Sequence, residues 1–261
     1  MDPRRVLYLI FDLDGTVLIN YKLPPKNLAA MKYAKSMGHK LILNTGRSRG
    51  GYALVPEANA VPWDGMCFSA SDITYHGYDL RHATVSEQDF RIWLEYCMTH
   101  RVRLAYCGQK WLENLDFSVC SAPLTEAEKD KHRAYAAELY GKNPLTNLSV
   151  YSVIPPESIP PESTITPIQL STYADLFPAG CNKGKVIYDF CLEMGWPLKQ
   201  CVCFGDSAND LDMFRVCPTS VAMSYAPEEL KRHATYVAKS ELGVAEGLCH
   251  LLGFTLDEDK I

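Results

Sequence analysis

The chain has 261 residues, 47% of them hydrophobic, and its 26 Lys and Arg against 31 Asp and Glu give a formal net charge of −5. This apolar content and low net charge exclude intrinsic disorder, and the length allows one or two folded domains. A mild acidic excess without a block of basic residues argues against nucleic acid or an anionic membrane as a partner.

The first apolar run, Val6–Phe11, ends at an aspartate and has no small-residue cleavage site after it. It is too short for an export signal, and no stretch approaches the roughly 18 apolar residues of a membrane span. The 10 cysteines show no zinc-binding spacing. Cys201 and Cys203 alternate on a predicted strand and should face one layer of core. We therefore expect free thiols and a cytoplasmic location.

Short apolar runs alternate with helical patterns at both ends of the chain. Val6–Phe11 and Gln200–Phe204 are typical of strands buried on both faces. This β-α-β order predicts a mainly parallel sheet covered by helices on both faces. The other predicted strands are Lys40–Asn44, Gly65–Phe68, Ile73–Tyr75 and Thr219–Met223, and the predicted helices are 28–37, Lys185–Met194, Leu211–Arg215, Pro227–His233 and Val244–Leu251.

The middle of the chain has a different pattern. We predict a core formed by residues 1–80 and 179–261, with residues 81–178 inserted as a second α/β module. The four prolines of Pro155–Pro161 exclude regular structure there. The predicted helices of the insert are Ser86–Thr99 and Thr125–Tyr140, and its predicted strands are Arg103–Tyr106, Lys110–Asn114 and Leu148–Ile154.

An acidic motif, Asp12-Leu13-Asp14-Gly15-Thr16, directly follows the first buried strand. Ligands of open α/β sheets bind at the carboxyl ends of strands, so Asp12 and Asp14 lie where chemistry is expected. Their alternation allows both carboxylates to converge on one reacting centre. An acidic turn in which Gly15 supplies the bend is the structural alternative, but this five-residue pattern is rare by chance.

Two further motifs offer groups that suit a phosphate. Thr45-Gly46-Arg47 follows the next strand and supplies a hydroxyl, an exposed backbone N–H and a guanidinium, although a plain turn between strand and helix would look the same. Lys183 stands at a helix start behind the N-cap candidate Asn182. A cation there opposes the helix macrodipole, which favours a lysine that is directed at an anion.

The fourth motif is Gly205-Asp206-Ser207-Ala208-Asn209-Asp210, after another strand. A helix that starts here puts Asp206 and Asp210 on one face. The helix dipole alone explains either aspartate, but not the acidic pairs at two strand ends of one chain. Together with Asp12 and Asp14 they require a counter-ion, and hard oxygen ligands favour Mg²⁺.

With these four motifs in this order, the chain resembles the haloacid dehalogenase-like (HAD) superfamily, specifically the Cof-type phosphatases with a type IIB cap. The segments Val221–Lys231 and Gly243–Glu246 also follow the closing pattern of that family. The resemblance implies a Rossmann-like parallel-sheet core with an inserted α+β cap. It also implies a Mg²⁺-dependent phosphatase that acts on a small phosphorylated metabolite, with sugar phosphates as the first expectation.

The resemblance assigns a role to each acidic residue. Asp12 is implied as the nucleophile that forms an aspartyl-phosphate, and Asp14 as the acid that protonates the leaving alcohol and then activates water. Mg²⁺ is implied at Asp12, the main-chain carbonyl of Asp14 and Asp206, with Asp210 nearby or bound through water. Lys183 is implied to offset the charge of the phosphoryl group.

The resemblance also implies phosphate and substrate contacts. Thr45 and Gly46 are expected to hold phosphate oxygens, Asn209 to orient the acidic loop, and Arg47 to reach the substrate or the cap. The sequence departs from the Cof-type pattern at two places. Ser69-Ala70-Ser71 stands where Asn-Gly is usual, and Tyr225 stands where the closing segment usually has Asn.

Two other functions remain open at this point. A phosphomutase or phosphotransferase would use the same aspartyl-phosphate to phosphorylate a second substrate. A non-catalytic sensor of phosphorylated metabolites would retain the fold, but it would not require Asp14 or Lys183, and both are present.

Overall fold

The computed structural model describes residues 6–81, 83–108, 112–142 and 144–256. These residues form two compact units. The first contains residues 6–46, 54–81 and 182–256, and the second contains residues 47–53 and the described part of 83–181. This division differs from the predicted one at residues 47–53 and 179–181, which were expected in the core, and at residue 81, which was expected in the insert. The assignment of the two units as catalytic core and cap stays a prediction.

In chain order, the described strands are β1 (Tyr8–Phe11), β2 (Lys40–Thr45), β3 (Gly65–Phe68), β4 (Asp72–Tyr75), β5 (Tyr78–Arg81), β6 (Arg103–Gly108), β7 (Leu112–Asp116), β8 (Leu145–Tyr151), β9 (Ile168–Gln169), β10 (Ala174–Leu176), β11 (Cys201–Gly205), β12 (Thr219–Ala222) and β13 (Tyr236–Val237). The described helices are α1 (Pro25–Ser36), α2 (Arg49–Tyr52), α3 (Glu87–His100), α4 (Glu126–Lys142), α5 (Lys183–Met194), α6 (Leu211–Val216), α7 (Glu228–His233) and α8 (Gly243–Leu252). Within the described ranges, every helix is too short or too polar for a membrane crossing.

The first unit is built on an eight-stranded sheet in the order β13-β12-β11-β1-β2-β3-β4-β5. The strands from β13 to β3 are parallel to one another, and β4 and β5 continue the sheet in antiparallel fashion. The apolar run β1 lies in the middle, between β2 and β11, as its burial on both faces predicts. The predicted mainly parallel sheet is confirmed.

Helices cover both faces of this sheet. Ile10 and Ile42 pack with Phe190 of α5 in one buried cluster, which also contains Cys201 and Cys203, so the two cysteines face one layer as predicted. On the opposite face, Phe204 stacks on a phenylalanine of β1, and α8 packs against β12 and α1. Both faces of the sheet are therefore covered, as predicted.

The second unit contains a five-stranded sheet in the order β7-β6-β8-β10-β9, with antiparallel pairing throughout. Helices α3 and α4 pack on each other, and Trp93 and Leu94 of α3 share a buried cluster with Tyr106 and Leu148 of the sheet. The short helix α2 packs on β6, which is why residues 47–53 belong to this unit.

One predicted strand of the insert needs correction. Strand β8 runs from Leu145 to Tyr151, three residues earlier than the predicted Leu148–Ile154. Its first residues pair with the end of β6 and are buried although two of them are polar, so hydrophobicity alone did not detect them. Residues 110 and 111 of the predicted strand Lys110–Asn114 lie outside the described residues. The proline-rich tract contains only a short 3₁₀ turn, Pro156–Ser158.

Hydrogen bonds of Asp89 connect the start of α3 to a loop more than 70 residues away in the chain. Its carboxylate is buried and accepts hydrogen bonds from the Ser86 hydroxyl at 2.6 Å, from the Thr164 N–H at 2.8 Å and from the Thr164 hydroxyl at 2.7 Å. Burial opposes the ionised form, but these hydrogen bonds hold the pKa of Asp89 below its usual range. The folded second unit therefore binds this side chain as a carboxylate.

We predict that Asp89→Ala lowers the free energy of unfolding by about 2–3 kcal/mol at pH 7, because several hydrogen bonds to a charged acceptor are lost together. A carboxyl whose pKa is lowered by folding stabilises the fold above its unfolded pKa of about 4, so the difference from wild type should shrink as the pH falls below that value. Urea unfolding followed by circular dichroism measures both effects.

The matched control is Asp130→Ala in the same unit. The Asp130 side chain is exposed and pairs with Arg133 on the surface of α4, so its loss should cost less than about 0.5 kcal/mol. Equal losses for the two variants, or a loss at Asp89 that does not depend on pH, would contradict this account.

Candidate active site

The polar motifs meet where three adjacent parallel strands end. In the register of the sheet, Phe11 of β1 is opposite Phe204 of β11 and Leu43 of β2. Asp12 follows β1 directly, Thr45 is the last residue of β2, and Asp206 follows β11 directly. The sheet register therefore brings these three positions to one edge, as ligand sites of open α/β sheets require.

Lys183 joins two of the acidic motifs. Its Nζ lies 2.6 Å from Asp12 Oδ1 and 2.7 Å from Asp210 Oδ1, and its side chain is 1% exposed. The predicted N-cap is confirmed, because Asn182 Oδ1 accepts the Lys185 N–H at 2.7 Å and α5 starts at Lys183. In this structure the anions that Lys183 contacts are therefore two carboxylates of the same chain.

Asp210 also shapes the loop that carries Asp206. Its Oδ2 accepts the backbone N–H groups of Asp206 at 2.9 Å and Ser207 at 3.0 Å, while its Oδ1 accepts from Lys183. A 3₁₀ turn over Ala208–Asp210 makes this return contact possible. Asp210 is completely buried, so these bonds satisfy a charge that would otherwise be very costly.

The carboxyl groups of this site crowd one another. Burial raises the pKa of Asp12 well above its usual range, against the charge of Lys183, and the charges of Asp210 and Asp206 add to the rise. Burial and the charge of Asp210 raise the pKa of Asp206 to about 6. Burial disfavours the charge of Lys183, but the two carboxylates outweigh it and raise the pKa of the lysine.

Asp12, Asp206 and Asp210 form a group of potential metal ligands. Each offers one carboxylate oxygen, and these oxygens all lie within 4.8 Å of one another. Lys183 supplies one positive charge among the three carboxylates. A donor set made only of carboxylate oxygens suits a hard divalent cation, so the residues fit such an ion.

The structure places the other predicted residues as follows. Asp14 is partly exposed in the loop after β1, where it pairs with Leu18 in an isolated bridge. Asn209 is buried in the acidic loop, and its Oδ1 accepts the Ser207 hydroxyl at 3.0 Å. The roles of both residues stay predictions.

The Thr45-Gly46-Arg47 motif is divided between the two units. Thr45 is buried at the end of β2, and Gly46 follows it in the first unit. Arg47 belongs to the second unit, where its guanidinium donates to the Gly51 carbonyl at 3.2 Å. The expected phosphate contacts of all three residues stay predictions.

Two buried side chains support the site without having been predicted to do so. Thr16 donates its hydroxyl to Asp206 Oδ1 at 3.0 Å, and Asn44 donates its amide to the Lys183 carbonyl at 3.0 Å. Asn44 could have been suspected, because it is an amide at the end of an otherwise apolar strand. Thr16 belongs to the first motif, but nothing in the sequence connects it to a residue 190 positions later.

The two departures from the Cof-type pattern also lie in described parts of the first unit. Ser69 and Ala70 both have left-handed backbone conformations, with φ of 50° and 52°. Tyr225 donates its hydroxyl to the Gly15 carbonyl. Burial, followed by the charges of Asp206 and Asp12, raises the pKa of Tyr225 to about 12, so the hydroxyl keeps its proton at neutral pH.

A protein-family model described as haloacid dehalogenase-like hydrolase matches residues 9–153 and 156–248. The match covers most of the chain and includes all four motifs. The chain therefore belongs to the haloacid dehalogenase-like hydrolases, and the predicted family is confirmed.

Two curated relatives illustrate the range of this similarity. A chloroplastic endoribonuclease YBEY of Arabidopsis thaliana is 24% identical over 92% of this chain, and the match covers 46% of that protein. The 5-amino-6-(5-phospho-D-ribitylamino)uracil phosphatase YwtE of Bacillus subtilis is 38% identical over 30% of this chain and 28% of its own length. The chain thus spans about half of the first relative and aligns with less than a third of the second.

Solved structures share the fold over nearly the whole chain. BT1666 of Bacteroides thetaiotaomicron, a phosphatase of this superfamily, has a TM-score of 0.79 at 22% identity, with 95% of each chain covered. The sugar phosphatase BT4131 of subclass IIB has a TM-score of 0.76 at 19% identity, covering 94% of this chain and 99% of the other. The predicted α/β fold class, a parallel-sheet unit with a second α+β unit, is confirmed. The predicted phosphatase activity stays a prediction.

Gly15 gives a direct test of this geometry. Its φ is +85°, and a Cβ at this position would lie 2.7 Å from Asp206 Cγ. With the phosphatase function expected from the sequence, we predict that Gly15→Ala displaces the Asp206 carboxylate and lowers the hydrolysis of p-nitrophenyl phosphate by about a hundredfold, the effect that a displacement of about 1 Å in a reaction site can have. Steady-state kinetics measures the loss.

Gly77→Ala is the matched control, because Gly77 has a φ of +82° and nothing within 4 Å of an added Cβ. Both variants pay the cost of a left-handed alanine, about 1–2 kcal/mol, but only Gly15→Ala meets the carboxylate. A similar loss of activity in both variants would show that backbone strain, and not the contact with Asp206, is responsible.

Proposed function

We propose that the protein is a Mg²⁺-dependent phosphatase that hydrolyses phosphate monoesters of small metabolites through an aspartyl-phosphate on Asp12. The observation that carries this proposal is the cluster of Asp12, Asp206 and Asp210 around the buried Lys183 at the ends of parallel strands. Such a cluster combines a nucleophile, a fixed cation and oxygen ligands in one place.

In the proposed first step, a carboxylate oxygen of Asp12 attacks the phosphorus atom of the substrate. The new P–O bond to Asp12 forms as the P–O bond to the leaving group breaks, and the leaving oxygen takes a proton from the Asp14 carboxyl. Lys183, 2.6 Å from Asp12 Oδ1, offsets the negative charge that would otherwise repel the phosphoryl group.

In the proposed second step, Asp14 accepts a proton from a water molecule as the water attacks the phosphorus of the aspartyl-phosphate. Inorganic phosphate leaves, Asp12 returns to its carboxylate form, and Asp14 is protonated for the next turnover. One difficult displacement is thereby divided into two easier ones. Thr45 and Gly46 are proposed to hold the non-bridging oxygens of the phosphoryl group.

Mg²⁺ would be held by Asp12, Asp206 and the main-chain carbonyl of Asp14, with Asp210 nearby. The ion would supply positive charge that neutralises the transferring phosphoryl group and the crowded carboxylates. Asp210 and Thr16 prepare the site for it, because they fix the loop and one carboxylate oxygen of Asp206.

Sugar phosphates are the proposed first substrate class. The subclass IIB structure that shares this fold is named a sugar phosphatase, and the B. subtilis relative is named for a substrate with a phosphoribityl group. We also propose a cytoplasmic location, which the free thiols of the cysteines support.

We predict that Asp12→Asn lowers the hydrolysis of p-nitrophenyl phosphate at least about 10³-fold, because an amide cannot form the covalent intermediate. The measurement is phosphate release with Mg²⁺ present, beside Asp130→Asn, which changes an exposed aspartate to the same amide. The control should keep the wild-type rate. Equal rates in wild type and Asp12→Asn would refute the covalent mechanism.

Metal binding has a separate readout. Saturating Mg²⁺ should raise the unfolding temperature of the wild type, since a ligand at 100 times its Kd adds about 2.7 kcal/mol to the free energy of unfolding. Asp206→Asn should remove the shift, whereas Asp212→Asn, a partly exposed residue paired with Arg215 on α6, should keep it. EDTA should abolish both the shift and phosphate release. Phosphate release that persists in EDTA would contradict the metal requirement.

A further inference from the structure

Tyr225 departs from the Cof-type pattern and touches the loop of the first motif. It follows β12 in a turn anchored by two main-chain hydrogen bonds, from the Met223 N–H to the Gly205 carbonyl and from the Ala226 N–H to the Met223 carbonyl, both 3.0 Å. Met223 and Ala226 are buried, whereas Tyr225 is 46% exposed. The Tyr225 side chain therefore extends from a stretch of main chain that is held in place.

The hydroxyl of Tyr225 donates to the Gly15 carbonyl, 210 residues away in the chain. Gly15 is held on its other sides as well. Its N–H donates to the Leu18 carbonyl at 2.8 Å, and a Cβ added to it would lie 2.7 Å from Asp206 Cγ. With a φ of +85°, Gly15 follows Asp14 in a turn that the Thr16 N–H closes on the Leu13 carbonyl at 3.4 Å, and the Gly15 carbonyl is the group that Tyr225 holds.

We infer that Tyr225 is a positioning residue, whose hydroxyl holds the Gly15 peptide and thereby sets the direction of the adjacent Asp14 carboxyl toward the leaving group. This inference rests on the proposed function, in which Asp14 is the general acid. Tyr225 acts through Gly15 and does not itself transfer a proton. Without its hydroxyl the turn loses one of its attachments, and Asp14 spends less time in the orientation that delivers the proton.

A positioning role of this kind has a specific consequence. Protonation of the leaving oxygen matters most for a poor leaving group and least for a good one. Phenoxide is a poorer leaving group than p-nitrophenoxide, and the two phosphate esters have similar shapes. The ratio of their kcat/KM values therefore reports on the general acid, whereas a damaged fold or a disturbed nucleophile slows both esters together.

The experiment compares wild type, Tyr225→Phe and Tyr188→Phe on phenyl phosphate and p-nitrophenyl phosphate. Tyr188 is also 46% exposed, on α5, so its change to phenylalanine removes the same atom from an equally exposed side chain. The parameter compared is kcat/KM, because it reports on the first step alone and leaves out the second step, which is the same for both esters. For Tyr225→Phe we expect kcat/KM to fall about fivefold on phenyl phosphate and less than about twofold on p-nitrophenyl phosphate, the size of effect that one lost hydrogen bond gives. The unfolding temperature should stay close to wild type.

Tyr188→Phe should leave both rates unchanged. An equal fall of kcat/KM on both esters in Tyr225→Phe, no fall on either, or the same change in Tyr188→Phe would overturn the positioning role. A wild type that hydrolyses neither ester would instead contradict the proposed function. A wild type that hydrolyses both, with an unchanged rate ratio in Tyr225→Phe, would leave the proposed function intact and refute only this inference.

Discussion

The pairing of Lys183 with Asp12 and Asp210 is the interaction on which the site depends. Three carboxylates whose oxygens lie within 4.8 Å repel one another strongly in a buried environment, and one lysine amine holds two of them together. A buried ion pair stabilises a fold only when its geometry is good and the remaining polar atoms have hydrogen bonds. The surrounding structure supplies these conditions.

Each partner in this cluster comes from a different element, so the cluster constrains the whole first unit. The sheet register brings Asp12 and Asp206 side by side, and the start of α5 presents Lys183. Asp210 returns through a 3₁₀ turn to bind the N–H groups of its own loop. Around them, neutral side chains add hydrogen bonds: Thr16 on Asp206, Asn44 on the Lys183 carbonyl and Tyr225 on Gly15.

Local pattern was enough to predict the parallel sheet and the motifs at its strand ends. The runs that became β1 and β11 are buried on both faces, so their apolar character is continuous and easy to recognise. The three-residue strand β10 and the fully exposed β5 were not predicted, because neither is long or apolar enough to show the hydrophobic pattern of a strand. Residues 47–53 join the second unit through a packing contact with β6 that no local pattern encodes.

Contacts between residues far apart in the chain also could not be predicted from the sequence. Lys183 was expected to face an anion, and its partners in the structure are carboxylates 171 and 27 residues away. Neither these pairs nor the contact between Tyr225 and Gly15 has a signature in residue spacing. Residue types therefore predicted the chemistry of the site, and the fold was needed to show which groups hold one another in place.

The most direct test of the account is to trap the covalent intermediate. The enzyme would be mixed with Mg²⁺ and p-nitrophenyl phosphate, quenched in acid within the first turnovers, treated with borohydride and analysed by peptide mass spectrometry. An aspartyl-phosphate is reduced to homoserine, so the account predicts homoserine at position 12 and only when substrate is present. Phosphate release with no modification of Asp12, or with the phosphoryl group on another residue, would contradict it.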